Sequence, residues 1–181
     1  MTNGTWHNEP SAWQADGDRL TLITGPKTDF WRTTHYDFVR DTGHFRSQQA
    51  TGDFVAEVKV IGAYASLYDQ AGVMVRLDDM TWLKCGIELV DGVQQVSAVV
   101  TRAFSDWSVV PLPANPPALW LRLTRRGPAI EIHYSLDGTR FDLLRMAYLS
   151  PAATLRVGPM AASPEGPGFQ VTFEGFTVHS L

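Results

Sequence analysis

The feature that most constrains the fold is the spacing of apolar residues, which alternate with polar residues over short runs and seldom recur at helical intervals. Turn-forming residues interrupt these runs about every dozen positions, a pattern typical of all-β proteins. Strands are predicted at 20–23, 54–61, 72–77, 82–90, 94–101, 119–124, 129–135, 141–146, 155–157 and 169–178. The chain is therefore predicted to be all-β.

Several connections between these strands have the chemistry of tight turns. Asp91-Gly92 and Asp137-Gly138 tolerate positive φ and favour β-hairpins. Hairpins are also predicted at 125–128 and 77–81. Strands joined in this way predict a two-layer antiparallel β-sandwich of the jelly-roll type, with a barrel as the alternative. No repeat or shift in composition divides the chain, so residues 1–181 are expected to form one domain.

Composition and charge argue against several classes of partner. The formal charge is −4 and no basic run marks a nucleic-acid surface, so no nucleic-acid partner is predicted. No apolar run reaches the roughly 18 residues of a membrane helix, so no membrane partner is predicted either. The N-terminus lacks the basic start and apolar stretch of a secretory signal. Cys85 has no second cysteine with which to form an internal disulfide, which favours a cytoplasmic location.

Alternation within a strand also assigns side chains to faces, because successive residues point to opposite sides of the sheet. In four predicted strands one side is apolar, for example Leu83, Cys85 and Ile87. The opposite sides carry two indoles among ionisable groups: Arg76, Trp82, Lys84, Glu88, Trp120, Arg122, Glu131 and His133. If the four strands share one sheet, these residues and Gln70 line a single concave face.

This face predicts a site for a carbohydrate or a similar polar small molecule. Trp82 and Trp120 would stack on the CH face of a sugar ring. Directional polar contacts would come from Gln70, Arg76, Lys84, Glu88, Arg122, Glu131 and His133. The first functional hypothesis is therefore a non-catalytic binding protein. The alternative for this face is a solvated surface whose charges pair across strands.

Five segments carry a resemblance to a known family. They are DFWRTTHY at 29–36, YDQAGVMVRLD at 68–78, WLKCGIE at 82–88, SAVVT at 97–101 and SDWS at 105–108. Their order and spacing resemble the concanavalin A-like family classed as a domain of unknown function, which includes a yeast regulator of enolase. The resemblance implies a jelly roll of the concanavalin A-like lectin/glucanase type, without an assigned substrate or catalytic residue. It also implies another hypothesis, a regulatory protein that binds a metabolic enzyme.

The enzyme hypothesis is a glycoside hydrolase or lyase that uses Glu88 and Glu131, because such cleavage needs two facing carboxyl groups. Glucanases of similar fold place their acids in a Glu-x-Asp-x-x-Glu stretch, which this sequence lacks. Ion pairing of both residues with nearby Lys and Arg is therefore favoured over catalysis. Cys85 falls on the core side, where a neutral thiol is unreactive. No catalytic residue is assigned outside this alternative.

His35, Asp37, Asp41 and His44 have the chemistry of metal ligands. Their spacing matches no compact metal motif, so they are assigned to ordinary loop hydrogen bonds. Neither a metal nor another cofactor is predicted.

Aromatic residues in two short segments would either wall a groove or plug an open end of the sandwich. The segments are Asp29-Phe30-Trp31 and Asp106-Trp107. For Phe30 and Trp31 the plug is preferred, because large aromatic side chains contribute most to core burial.

Overall fold

The computed structural model describes residues 4–181, whose regular elements are all strands. Residues 1–3, part of the segment in which no secretory signal is predicted, lie outside this range. The strands are β1 Thr5–His7, β2 Ala12–Asp16, β3 Arg19–Ile23, β4 Phe30–Arg32, β5 Val39–Asp41, β6 His44–Thr51, β7 Phe54–Gly62, β8 Gln70–Arg76, β9 Thr81–Val90, β10 Val93–Arg102, β11 Phe104–Pro111, β12 Leu119–Arg126, β13 Ala129–Ser135, β14 Asp142–Tyr148, β15 Thr154–Ala162 and β16 Gln170–Ser180. Within the described range, no helix is long and apolar enough to cross a membrane.

The strands form two seven-stranded antiparallel sheets that enclose a common core. The first sheet has the order β1-β6-β15-β8-β9-β10-β11, and the second has the order β14-β13-β12-β7-β16-β3-β2. β4 and β5 pair with each other as a short ribbon. The predicted two-layer antiparallel sandwich is confirmed, and every predicted strand has a counterpart.

The main core between the sheets follows the alternation of the strands. In β12, Leu119, Leu121 and Leu123 are fully buried, whereas Trp120 between them is half-buried on the outer side. Cys85 of β9 lies in this core, as predicted. Burial raises the pKa of its thiol to about 12, so the thiolate needed for nucleophilic chemistry does not form at neutral pH.

The outer face of the first sheet is covered by residues 29–42, which creates a second apolar layer. Its buried side chains are Phe30, Trp31, Phe45, Met74, Trp82, Val99 and Met160. The rings of Phe30 and Trp82 meet edge to face with centroids 6.3 Å apart. Because both faces of the sheet are covered here, nearly every residue of β8 and β9 is buried. Phe30 is fully buried, as a plug would be, but it packs against Trp82 on the outer face of the first sheet. The predicted position at an open end of the sandwich is therefore wrong.

Six strands have no counterpart in the sequence prediction: β1, β2, β4, β5, β6 and β11. The most important is β6, whose sequence HFRSQQAT shows no apolar alternation. It lies inside the first sheet, hydrogen-bonded to β1 on one side and β15 on the other. Its conformation therefore depends on backbone pairing with its neighbours and not on a local hydrophobic pattern.

An ion pair between a buried arginine and a half-buried aspartate fastens β5 to the first sheet. Arg76 of β8 is 3% exposed, and its Nη1 and Nη2 donate to the two carboxylate oxygens of Asp41 at 2.6 and 2.8 Å. His7 Nε2 lies 3.2 Å from Asp41 Oδ1. Burial would raise the pKa of Asp41, but hydrogen bonds and positive charge from Arg76 and His7 outweigh it and hold this pKa well below its usual range.

We expect Asp41→Asn to lower the free energy of unfolding by about 2 kcal/mol at neutral pH, because it leaves the Arg76 guanidinium buried without a counter-charge. Folding lowers the pKa of Asp41 from its ordinary value of about 4. The ionised carboxylate therefore stabilises the fold at pH values above about 4, and this contribution is lost progressively as the pH falls below about 4. Urea unfolding of both proteins between about pH 3 and pH 7 measures the difference, which should shrink toward acid. A difference that does not change with pH would contradict this account.

Candidate functional site

A pocket opens on the outer face of the first sheet, at the edge of the segment that covers it. The open space in and above it is about 520 Å³, counting its mouth. Its lining consists of Asp29, Trp31, Tyr36, Phe38, Arg40, Tyr68, Gln70, Lys84, Glu88, Val99, Trp107, Pro164 and Glu165. Aromatic walls thus surround a floor that carries buried charges.

Glu88 of β9 is the carboxylate at this floor, and it is 7% exposed. Ser97 Oγ and Trp107 Nε1 both donate to its Oε2, at 2.7 and 2.9 Å. None of residues 4–181 donates a hydrogen bond to its Oε1. Burial raises the pKa of Glu88, and the positive charge of Lys84 and the two hydrogen bonds only partly oppose this rise.

Lys84, also of β9, ties the covering segment to the sheet. Its Nζ donates to the carbonyl oxygen of Phe30 at 2.7 Å and to Gln70 Oε1 at 2.6 Å. The same Nζ lies 3.5 Å from Asp29 Oδ1, which also accepts from the backbone N–H of Phe30 at 2.7 Å. All three ammonium protons therefore have protein acceptors, and Lys84 acts mainly as a structural cation.

Aromatic rings from three parts of the chain form the walls. Trp31 and Tyr36 meet at a centroid distance of 5.6 Å, and Tyr68 and Trp107 meet at 6.2 Å. The hydroxyl oxygens of Tyr36 and Tyr68 lie 3.4 Å apart and link the two pairs. This hydrogen bond, together with burial, raises the pKa of Tyr68 to about 12, so its hydroxyl keeps its proton at neutral pH.

The structure brings together three of the predicted ligand-binding residues, Gln70, Lys84 and Glu88, in this pocket. Trp82 lies behind it, 1% exposed, with its Nε1 donating to the carbonyl oxygen of Asp79 at 3.2 Å. The prediction that Trp82 presents its ring on the surface is therefore wrong, because residues 29–42 cover it. Arg76 is likewise buried, in the ion pair that holds β5.

The prediction that four strands share one outer face is also wrong. β8 and β9 belong to the first sheet, whereas β12 and β13 belong to the second. The predicted site residues on the second sheet are Trp120, Arg122, Glu131 and His133. They lie on the opposite side of the sandwich, where Arg122 pairs with Glu57 and the Nζ of Lys59 lies 5.2 Å from the Trp120 ring centroid.

This division also separates Glu88 from Glu131. Glu88 faces outward from the first sheet, and Glu131 alternates with the core residues Ile130 and Ile132 on the second. Two carboxyl groups on opposite sides of a sandwich cannot flank one glycosidic bond, so this pair does not form a hydrolase site.

The prediction missed three residues of the aromatic wall: Tyr36, Phe38 and Tyr68. It had named Trp31 and Trp107 as candidates for a groove wall, and Trp31 proves to be both buried cover and wall. Tyr36 and Tyr68 carried no local signal, because loop conformation brings them together. These loops contain residues with positive φ: 65° at Tyr68 itself, and 67° at His35 and 56° at Asp37 on either side of Tyr36.

The residues weighed as metal ligands are dispersed into ordinary contacts. His44 Nδ1 lies 2.6 Å from the carbonyl oxygen of Asn8, and its Nε2 accepts from the backbone N–H of Gly25 at 2.8 Å. The carboxylate of Asp41 forms an ion pair with Arg76. Over the described range, no three His, Cys, Asp or Glu side chains are grouped to hold a metal ion.

The fold and the pocket define a jelly-roll β-sandwich with a pocket on the outer face of one sheet. The family model described as "Protein of unknown function (DUF1349)" matches residues 6–181, and the chain belongs to this family. A relative in Saccharomyces cerevisiae, "Regulation of enolase protein 1", is 43% identical over 178 residues, which are 98% of this chain and 90% of the relative. The predicted family resemblance is confirmed.

Solved structures extend the comparison. A Saccharomyces cerevisiae protein described as functionally unknown has a TM-score of 0.96 and 43% identity, covering 99% of this chain and 97% of its own. A GH43B protein of a Bacteroides ovatus xyloglucan PUL has a TM-score of 0.75 and 20% identity, covering 100% of this chain and 37% of its own. The carbohydrate binding module CBM66 from Bacillus subtilis has a TM-score of 0.63 and 14% identity, covering 99% of both chains. The last two share the fold.

We expect Lys84→Met to lower the free energy of unfolding by about 3 to 5 kcal/mol, because it leaves the Asp29 carboxylate and the Gln70 and Phe30 oxygens buried without their donor. The matched control is Lys59→Met on the second sheet, whose Nζ lies 3.0 Å from Glu174 and whose side chain is 29% exposed. That partly exposed pair should contribute less than about 1 kcal/mol. Urea unfolding compares the two variants, and equal losses would show that Lys84 does not hold the segment.

Proposed function

We propose that this chain is a non-catalytic binding protein whose pocket on the first sheet holds a carbohydrate or a similar polar small molecule. The observation that supports this most is the buried Glu88 carboxylate beneath aromatic walls, with two donors on its Oε2 and none from residues 4–181 on its Oε1. Polar ring ligands need this combination, because their CH faces stack on aromatic rings while their hydroxyls need hydrogen-bond partners.

The pocket is organised before any ligand arrives. Trp107 donates to Glu88, which fixes the indole and the carboxylate relative to each other. Lys84 holds Asp29 and Gln70 at the opposite part of the floor. A ligand would therefore order few side chains on binding, and preorganisation of this kind favours affinity.

The comparisons support the same proposal at the level of the fold. CBM66 is a carbohydrate binding module, and GH43B is associated with a xyloglucan PUL. The proposed site differs from the sequence-based one, since it uses only the outer face of the first sheet and takes its aromatic rings from β4, β11 and loops.

A glycan screen with three proteins tests the proposal. Trp107→Ala removes a wall and the donor to Glu88, so it should weaken binding of any saccharide hit by about tenfold or more. Trp120→Ala is the matched control, because it removes an indole from the second sheet and should leave the affinity unchanged. Isothermal titration calorimetry measures both. Failure of the unmodified protein to bind any saccharide, or an equal loss in the two variants, would refute the proposal.

A second candidate function is regulation of a metabolic enzyme by direct binding, supported by the name of the yeast relative and by one apolar surface. Edge strand β11 of the first sheet and edge strand β14 of the second are joined by Arg145, whose Nη1 donates to Ser108 Oγ at 2.9 Å. The exposed apolar side chains of these two strands are Val109 and Val110 on β11 and Leu143, Met146 and Tyr148 on β14. An exposed group of this kind is a feature of protein-binding surfaces.

Purified enolase from the same source is the first partner to test. Met146 is 62% exposed, and Met146→Asp should weaken binding by about tenfold or more by placing a charge in the contact. Ile23→Asp is the control, because Ile23 is an exposed apolar residue on β3, away from this edge. Surface plasmon resonance compares the variants, and unchanged binding by Met146→Asp would exclude this surface.

We also propose a cytoplasmic location for both functions. The buried, unpaired Cys85 thiol is compatible with a reducing compartment. Recovery of the protein in a membrane or secreted fraction on cell fractionation would contradict this.

A further inference from the structure

The rings at the pocket form a box and not a flat platform. Trp31 and Tyr36 are inclined at 75°, and Tyr68 and Trp107 at 83°. The Tyr36 and Tyr68 hydroxyls join these two perpendicular pairs across the pocket. Phe38 stacks on Tyr36 at an interplanar angle of 27° and extends that wall. Walls set at right angles present ring faces and edges to one compact group, the arrangement by which proteins surround an ammonium ion.

The charges at the floor are unevenly matched. The positive charge of Lys84 is paired with the Asp29 carboxylate, and its protons are all used within the protein. Glu88 forms no ion pair with any of residues 4–181, and none of these residues donates a hydrogen bond to its Oε1. A carboxylate with this little exposure normally has a cationic partner or a full set of hydrogen bonds. The missing partner is therefore a donor, and a positively charged donor satisfies it best.

We propose that the pocket recognises its ligand through a protonated amine, which donates to Glu88 Oε1 while the aromatic box surrounds its charge. The inference rests on the proposed function and gives its ligand class as an amino sugar or a similar amine-bearing polar molecule. The sugar body would stack against an indole wall, and the ammonium would reach the floor.

Other charged groups around the pocket set how selective it can be. Arg40 of β5 is half-buried, with its guanidinium carbon 4.5 Å from the Phe38 ring centroid, and its charge opposes a cationic ligand from the rim. Glu165 favours such a ligand, although Lys27 Nζ lies 3.3 Å from its Oε2. At Glu88 the positive charge of Lys84 outweighs the negative charge of Asp29, so this pair also opposes a cationic ligand. Removing the charge of Arg40 should therefore strengthen binding of a cation and weaken binding of an anion.

The protonation of Glu88 adds a dependence on pH. Only the ionised carboxylate pairs with an ammonium group, and burial raises the pKa of Glu88 above its ordinary value. Affinity for an amine should therefore fall as the pH decreases through that raised value, and binding of the amine should itself favour loss of the proton.

Four monosaccharides separate this inference from the broader proposal: glucosamine, N-acetylglucosamine, glucose and glucuronate. Quenching of tryptophan fluorescence at about pH 7, where most of the amine is protonated, gives each affinity. Glucosamine is expected to bind about tenfold more tightly than the other three. Equal binding of glucosamine and glucose would overturn the amine inference and leave carbohydrate binding intact. Binding of none of the four would count against both.

Two variants test the mechanism. Glu88→Gln keeps the size of the side chain and removes its charge, so it should reduce the preference for glucosamine over N-acetylglucosamine by about tenfold. Arg40→Gln lies at the rim and should raise the affinity for glucosamine about twofold to threefold. A thermal melt checks that the Glu88→Gln variant is folded. If it is not folded, the effect of Arg40→Gln on glucosamine binding still tests the proposal. Weaker glucosamine binding by Arg40→Gln, or stronger glucuronate binding, would overturn the proposal.

Discussion

Burial of residues 29–42 against the outer face of the first sheet is the interaction on which the site depends. A bare sheet face would present the alternating surface expected of a sandwich exposed to water. Here Phe30 and Trp82 are buried against each other, and Lys84 is held between the sheet and the covering segment. Apolar contact stabilises the covering segment on the sheet, and the hydrogen bonds of the Lys84 ammonium group fix the position of that segment. The pocket is the space left at the edge of this cover.

The cover also explains why two residues of one strand have different roles. Lys84 and Glu88 lie four positions apart on β9 and face the same side of the sheet. Lys84 lies under the segment, where Asp29 and backbone oxygens satisfy it. Glu88 lies at the edge, where Ser97 and Trp107 satisfy one oxygen and leave the other. Lys84 is therefore a structural cation and Glu88 a carboxylate proposed for recognition, although both face the same side of one strand. The difference arises because the covering segment lies over Lys84 and leaves Glu88 at its edge.

Sequence reasoning predicted much of the fold and only part of the site. Turn chemistry at Asp91-Gly92 and alternation in β12 are local signals, and each indicated a real element. β6 escaped prediction because its conformation comes from pairing with two neighbouring strands. For the site, the outward direction of Glu88 was correctly inferred, but the grouping with Trp120 was not. Alternation reports which side of a strand a residue occupies, and it carries no information about the sheet that the strand joins.

The sequence by itself determined the all-β class, the core side of the four strands with clear alternation and the burial of Cys85, because these depend on contacts between near neighbours in the chain. Only the tertiary structure decided that β12 joins β7 and not β9, that Trp82 is covered, and that Tyr36 and Tyr68 meet across one pocket. Such outcomes depend on backbone pairing and loop paths between residues far apart in sequence. Those contacts have no local periodicity from which they could be inferred.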